Sequence, residues 1–189
     1  MTRIFTIVLS VLFVAYPVLI YFGITTFSPA IVSAFVLMLL GVRLAVTWKI
    51  SAAKIRPLLP LTLAAAVPAT VSLVFNNEHA LLLVPALVNA VLLSLFATSM
   101  VRGPTMIERF AALEEPEITP RISAYCRKVN VIWCVFFALN GLVALYTVFF
   151  MSKEYWALYN GLISYLLLGS LILGERIYRR QVKQKNRES

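Results

Sequence analysis

Apolar residues run along the chain in six long blocks, covering about residues 4–22, 29–48, 58–75, 80–100, 129–150 and 156–174. Each block approaches the roughly 20 residues a helix needs to cross the hydrocarbon of a bilayer. Short polar breaks separate most of them, and one long polar stretch, residues 101–128, separates the fourth from the fifth. The pattern predicts an all-α integral membrane protein: six transmembrane helices forming a single membrane domain over 1–189, with a short amphipathic interfacial helix between helices four and five. The first block follows Arg3, as a signal peptide would, but Ala15-Tyr16-Pro17-Val18 has no small-x-small cleavage pattern and the apolar run continues past Pro17. A retained first helix with a kink at Pro17 is expected.

Local punctuation sharpens the boundaries. Ser28-Pro29 reads as an N-cap followed by proline in the first turn of helix two. Helix three carries Pro60 in its first turn and Pro68 as a kink. Asn76-Asn77-Glu78-His79 and Ser152-Lys153-Glu154 read as tight turns, and helix four as one rod over 80–100. The basic tail, 175–189, is expected to fray after one or two further helical turns.

The long loop has a shape of its own. Thr105-Met106-Ile107-Glu108 matches the capping box S/T-x-x-E, which starts a short helix. Met106, Ile107, Phe110 and Leu113 then fall largely on one side, with Glu108 and Arg109 more exposed, as in a helix lying on a bilayer surface. Glu114-Glu115-Pro116 ends it, and Thr119-Pro120 begins an extension of helix five through Arg121 and Lys128. The loop reads either as an elbow joining two helices or as a docking surface for a cytosolic protein or lipid headgroups. Acidic side chains contribute little to membrane orientation, so Glu114, Glu115 and Glu117, with Thr105, Glu108 and Arg109, are the candidate docking residues.

Composition agrees with the pattern: 61% of residues are hydrophobic and 13% charged, against about 25% charged in soluble domains. In a six-helix topology 16 of the 17 Lys and Arg residues share one side with both termini and the long loop. Lys and Arg concentrate in cytoplasmic segments, so both termini are expected in the cytoplasm of a bacterial inner-membrane protein. The net charge of +9 is accounted for in this way rather than by nucleic acid.

Candidate chemistry is sparse. The chain has no Asp, and His79 is its one histidine. Cys126 and Cys134 fall eight apart on one helix, roughly 12 Å by the helical rise, too far for a disulfide. No catalytic constellation, cofactor motif or metal-ligand spacing is present. Adjacent Glu78 and His79 fit a hairpin cap more simply than an acid–base pair. Asn89, Asn140 and Asn160 lie within apolar blocks, and Ala86-Leu87-Val88-Asn89 echoes Ala157-Leu158-Tyr159-Asn160. An intramembrane Asn usually hydrogen-bonds across helices, worth about 0.6 kcal/mol; the alternative is that the three line a path for a substrate.

Phe75-x-Asn77-Glu78, Pro104-x-x-Ile107-x-Arg109, Trp133-x-x-Phe136-Phe137-x-x-x-Gly141-Leu142 and Trp156 occur in an order and spacing that resemble the bacterial intracellular septation protein A family, over roughly residues 43–180. Pro104-Thr105-Met106-Ile107-Glu108-Arg109, Trp133-Cys134-x-Phe136-Phe137-x-x-Asn140-Gly141 and Trp156-Ala157-Leu158-Tyr159-Asn160-Gly161 are more similar still to a membrane-protein family found beside aryl-polyene and fatty-acid-like biosynthesis genes. The first resemblance implies a role in envelope integrity and division, the second an accessory role beside a membrane-associated lipid or polyene pathway. Neither brings catalytic residues. The expectation is a non-enzymatic inner-membrane scaffold without cofactor, partnered by membrane lipids and a cytosolic or membrane biosynthetic protein. The alternative is a small lipid or polyene carrier built on helices four to six.

Overall fold

A computed structural model describes residues 16–50, 59–113 and 118–185. Expectations for 4–15, for the basic loop at 51–56, for Glu114, Glu115 and Glu117, and for the last four residues fall outside the described residues.

Helices α1 (Tyr16–Thr26), α2 (Pro29–Ile50) and α3 (Leu59–Phe75) are followed by the short α4 (Glu78–Leu82) and by α5 (Val84–Arg102). Then come α6 (Met106–Ala111), α7 (Pro120–Phe150), α8 (Lys153–Leu158), a π-helical turn at Tyr159–Ile163, and α9 (Ser164–Lys185). Among the described residues there is no strand. Four helical stretches are long and apolar enough to cross a membrane: Pro29–Trp48, Glu78–Arg102, Pro120–Phe150 and Lys153–Tyr178. Tyr16–Thr26 and Leu59–Phe75 are shorter apolar helices. The chain is thus an α-helical protein with the architecture of a multi-pass membrane protein.

The helices fold back and forth between two ends. One, the tip end, carries the turns at Asn76–Asn77 and Met151–Ser152. The other, the loop end, carries residues 103–113, residues 118–119 and the far part of α9. α5 packs most extensively on α7, α2 on α3, and α3 on α5, while α9 joins the bundle chiefly through the π-turn. A buried apolar cluster including Ile20, Val36, Ala69, Leu81, Val148 and Trp156 occupies the tip half.

The expected rod over 80–100 is broken at Leu83, between α4 and α5. Pro85 is the reason: it has no N–H to give to the carbonyl of Leu81. Distant side chains replace the lost bonds. The Tyr16 hydroxyl donates to the Leu81 carbonyl at 3.2 Å, and Trp156 Nε1 donates to the Leu82 carbonyl at 3.0 Å. Carbonyls freed inside a membrane protein need such partners, because hydrocarbon offers none.

The last span also differs from its expected outline. It begins at Lys153 rather than Trp156, widens into a π-turn, and continues to Lys185, about three turns past Gly174 rather than the expected one or two. Residues 175–185 are rich in Arg, Gln and Lys and contain neither Gly nor Pro, so nothing in them stops a helix. The π-turn brings Gly161 against α1, where an added Cβ would meet Val18 Cγ2 at 3.0 Å. At the end of α3, Asn76 adopts the left-handed conformation (φ 48°) and its Oδ1 accepts from Ala30 N, capping α2 across the tip.

Candidate functional site

Asn89 on α5 and Asn140 on α7 meet directly: Asn140 Nδ2 donates to Asn89 Oδ1 at 3.1 Å. The same Nδ2 also reaches Ser164 Oγ at 3.0 Å, and the Tyr159 hydroxyl donates to Asn140 Oδ1 at 2.9 Å. Asn89 Nδ2 turns back to the Pro85 carbonyl. Asn160 stands apart from this pair, donating from Nδ2 to Thr147 Oγ1 at 3.2 Å and to the Trp156 carbonyl at 2.9 Å. All three asparagines are buried. The Asn-Gly pairs explain how the backbones come close enough. Gly141 lies against Asn89, where a Cβ would meet Asn89 Cβ at 3.0 Å, and Gly161 lies against Val18. In each pair the glycine admits a neighbouring helix; Asn140 hydrogen-bonds across the Gly141 contact to α5, whereas Asn160 bonds α7 while Gly161 faces α1.

α7 carries this seam because its buried residues, Asn130, Phe137, Asn140, Ala144 and Thr147, recur at helical spacing. Between Asn130 and Asn140 stand packed rings. Phe96 lies 5.1 Å from Phe137 and 6.0 Å from Trp133, edge-on to the first and tilted on the second. The polar groups of the tip half are thereby separated from those of the loop half.

The sequence reading passed over Asn130, which is fully buried and donates from Nδ2 to the Phe96 carbonyl at 3.0 Å. It follows Arg127-Lys128 closely and so looks interfacial in sequence. The spacing of Asn130 from Asn140 and Thr147 on one helix face was the available signal. Tyr159 and Ser164 gave none, since hydroxyls in apolar helices commonly bond their own backbone.

The loop residues are assembled locally. Thr105 Oγ1 accepts from Glu108 N at 3.2 Å, and Glu108 Oε2 accepts from Thr105 N at 3.3 Å, so both halves of the capping box are present. Ser99 Oγ, on α5, accepts from Met106 N. Glu108 is consequently half-buried, unlike its expected exposure, whereas Arg109 is exposed and donates from Nε to the Pro104 carbonyl. Phe110 and Leu113 are exposed, while Met106 and Ile107 are half-buried. Thr119 caps α7 by accepting from Ile122 N.

At the tip end Asn77 caps α4, with Glu78 in its first turn. Glu78 holds Lys153 through both carboxylate oxygens, each 2.7 Å from Nζ. His79 lines a cavity of about 370 Å³ with Glu78, Lys153, Glu154, Thr147 and Trp156. An apolar groove of about 390 Å³ runs between α1 and α2 past Ile20, Phe35 and Arg43, and one of about 300 Å³ lies between α3 and α5. The described lining of these three cavities does not include Asn89, Asn140 or Asn160. Among the described residues no group of three or more His, Cys, Asp or Glu side chains gathers as metal ligands would, and Cys126 and Cys134 are not joined in a disulfide.

No family model matches the chain. No curated protein and no solved structure matches it either.

Proposed function

We propose that the chain is a non-enzymatic scaffold or accessory protein of a bacterial inner membrane, crossing it six times with both termini cytoplasmic. Its loop docks a cytosolic or membrane partner in envelope or polyene-lipid biogenesis. The observation that carries this reading is the closed polar seam. Asn89, Asn140, Tyr159 and Ser164 spend their hydrogen bonds on one another, and the Phe96–Trp133–Phe137 rings seal the path beneath them. A fixed bundle of this kind suits a protein that presents a surface. The locally capped α6 supplies a surface with its own shape. The distribution of Lys and Arg supports the orientation, and the motif resemblances around Pro104–Arg109 and Trp156–Gly161 suggest the setting.

The test is co-purification from native membranes, with proteins and lipids read by mass spectrometry. The parent is compared with a Glu114→Lys, Glu115→Lys, Glu117→Lys variant at two salt concentrations. The variant is expected to insert normally and to lose a cytosolic partner in a salt-dependent manner, since charges of this type act through association rate. Equal recovery of the same proteins from both would remove the docking reading. Reporter fusions after Gly103 and Ser189 are expected to read cytoplasmic, and one after Asn77 periplasmic.

A second reading, a lipid or polyene carrier on helices four to six, draws on the two helix breaks. Leu83 and the π-turn at Tyr159–Ile163 both lie in the tip half, beneath the cavity bounded by Glu78, Lys153 and Trp156, and broken helices mark binding sites in transporters. Loss of function in Asn140→Leu with unchanged stability would favour it.

A further inference from the structure

At the loop end, three arginines gather on the single turn where α5 stops. Arg127 reaches across from α7, and its Nη1 donates to the Met100 carbonyl at 3.4 Å. Arg109 reaches back from α6, and its Nε donates to the Pro104 carbonyl at 3.1 Å. Arg102, the last residue of α5, stands exposed between these two carbonyls in the chain. Among the described residues, none of the three guanidiniums pairs with a carboxylate. The ion pair between described side chains is Lys153–Glu78, at the opposite end, and Glu108 is turned inward to the Thr105 backbone.

A guanidinium has five N–H donors. One anchoring bond each fixes the direction of Arg109 and Arg127 and leaves the other donors for an oxyanion. The platform beneath them is itself held, by the Thr105–Glu108 capping box and by the Ser99 bond to Met106 N.

The same turn is flanked by apolar side chains left open to the surroundings: Val101 is 85% exposed, Leu113 84% and Phe110 53%. Guanidiniums beside bare apolar side chains match a boundary between headgroups and hydrocarbon. A free anion in solution would leave Val101 and Leu113 without a role. Planar guanidiniums bind phosphate oxygens in pairs, and basic pockets near helix ends recognise anionic headgroups.

We infer that this turn binds the headgroup phosphate of an anionic phospholipid in the leaflet at the loop end. Arg102, Arg109 and Arg127 hold the phosphate oxygens, and Val101, Phe110 and Leu113 lie against the glycerol and the first part of the acyl chains. The site does not rest on the docking reading, which depends on the acidic residues of the loop.

The experiment uses the full chain in bilayer discs of phosphatidylcholine containing a minority of phosphatidylglycerol. The protein is extracted into mild detergent, and its retained lipids are counted by native mass spectrometry. The parent is expected to enrich phosphatidylglycerol over phosphatidylcholine by about tenfold relative to the disc, the scale of one to two Arg–headgroup contacts. Arg102→Gln/Arg109→Gln/Arg127→Gln is expected to retain the two lipids in the disc ratio. A charge-matched tail variant, Arg179→Gln/Arg180→Gln/Lys183→Gln, is expected to behave as the parent. Arg102→Gln alone is expected to lose part of the enrichment. Its side chain makes no hydrogen bond to the described protein, so this variant reports on binding even if the triple variant misfolds. Millimolar inorganic phosphate is expected to leave the enrichment intact. The inference is overturned by a parent without preference, by a tail variant that loses as much as the triple variant, by an Arg102→Gln that loses nothing, or by displacement with inorganic phosphate.

Discussion

The two ends of the bundle are stabilised in opposite ways. At the tip end the bonds join residues far apart in the chain: Tyr16 to Leu81, Ala30 to Asn76, Glu78 to Lys153, Leu82 to Trp156. Their charges and donors are consumed by the protein itself. At the loop end most bonds are between near neighbours, as in Thr105 with Glu108 and Arg109 with Pro104, and three guanidiniums keep donors to spare. A region whose polar groups are spent on its own chain is built to stay put. A region with a locally fixed shape and unspent charge is built to receive something. This difference is why the proposed partners are placed at the loop end.

The strongest blow to the tip end is expected from Trp156→Ala. It empties a site 1% exposed and strips the Leu82 carbonyl of its donor, a loss of about 3–5 kcal/mol for a buried aromatic. A large fall in thermal unfolding temperature in detergent would be seen, and a fall of a degree or less would contradict the assignment of Trp156 as the tip's cross-link. Tyr16→Phe removes only the hydroxyl and is expected to cost about 1–3 kcal/mol, because the Leu81 carbonyl is left unpaired. Thr105→Ala should cost about 1 kcal/mol, the usual value of a lost N-cap. Its effect should be confined to hydrogen exchange in residues 105–112, with the tip end unchanged; loosening at the tip would mean that the two ends are coupled. Lys153→Gln is expected to do least. The pair with Glu78 is partly exposed, 39% and 27% at the two side chains, and such pairs contribute about 0–1 kcal/mol.

The same division decides what sequence could reveal. The capping box at Thr105–Glu108 and the Thr119-Pro120 start of α7 are local patterns, and they stand in the structure as read. So do the start of α2 at Pro29 and the placement of Pro68 within α3. The break at Leu83 was missed although Pro85 was in view. Proline in the first turn is ordinarily a start signal, and only the distant donors Tyr16 and Trp156 make an earlier short helix tolerable at this point. The π-turn at Tyr159–Ile163 depends on how α1 packs on Gly161, which no local window contains. Asn89 and Asn140 could be picked out as polar residues in apolar surroundings, but their mutual bond required the α5–α7 register. Asn130 was hidden by its basic neighbours.

The Pro85 break also sets an order on biogenesis. The Leu82 carbonyl finds its donor in Trp156, 74 residues further along the chain. A ribosome adding about 5–20 residues per second makes that partner several seconds late. During this interval the nascent span formed by α4 and α5 holds an unpaired carbonyl in the bilayer. Folding of the first half is therefore provisional until the final span arrives, which makes the last hairpin a checkpoint for the whole chain. Nascent chains halted after Ser152 should be short-lived in a pulse-chase, and those carried through Gly174 should persist; equal lifetimes would mean that the early helices complete themselves without Trp156.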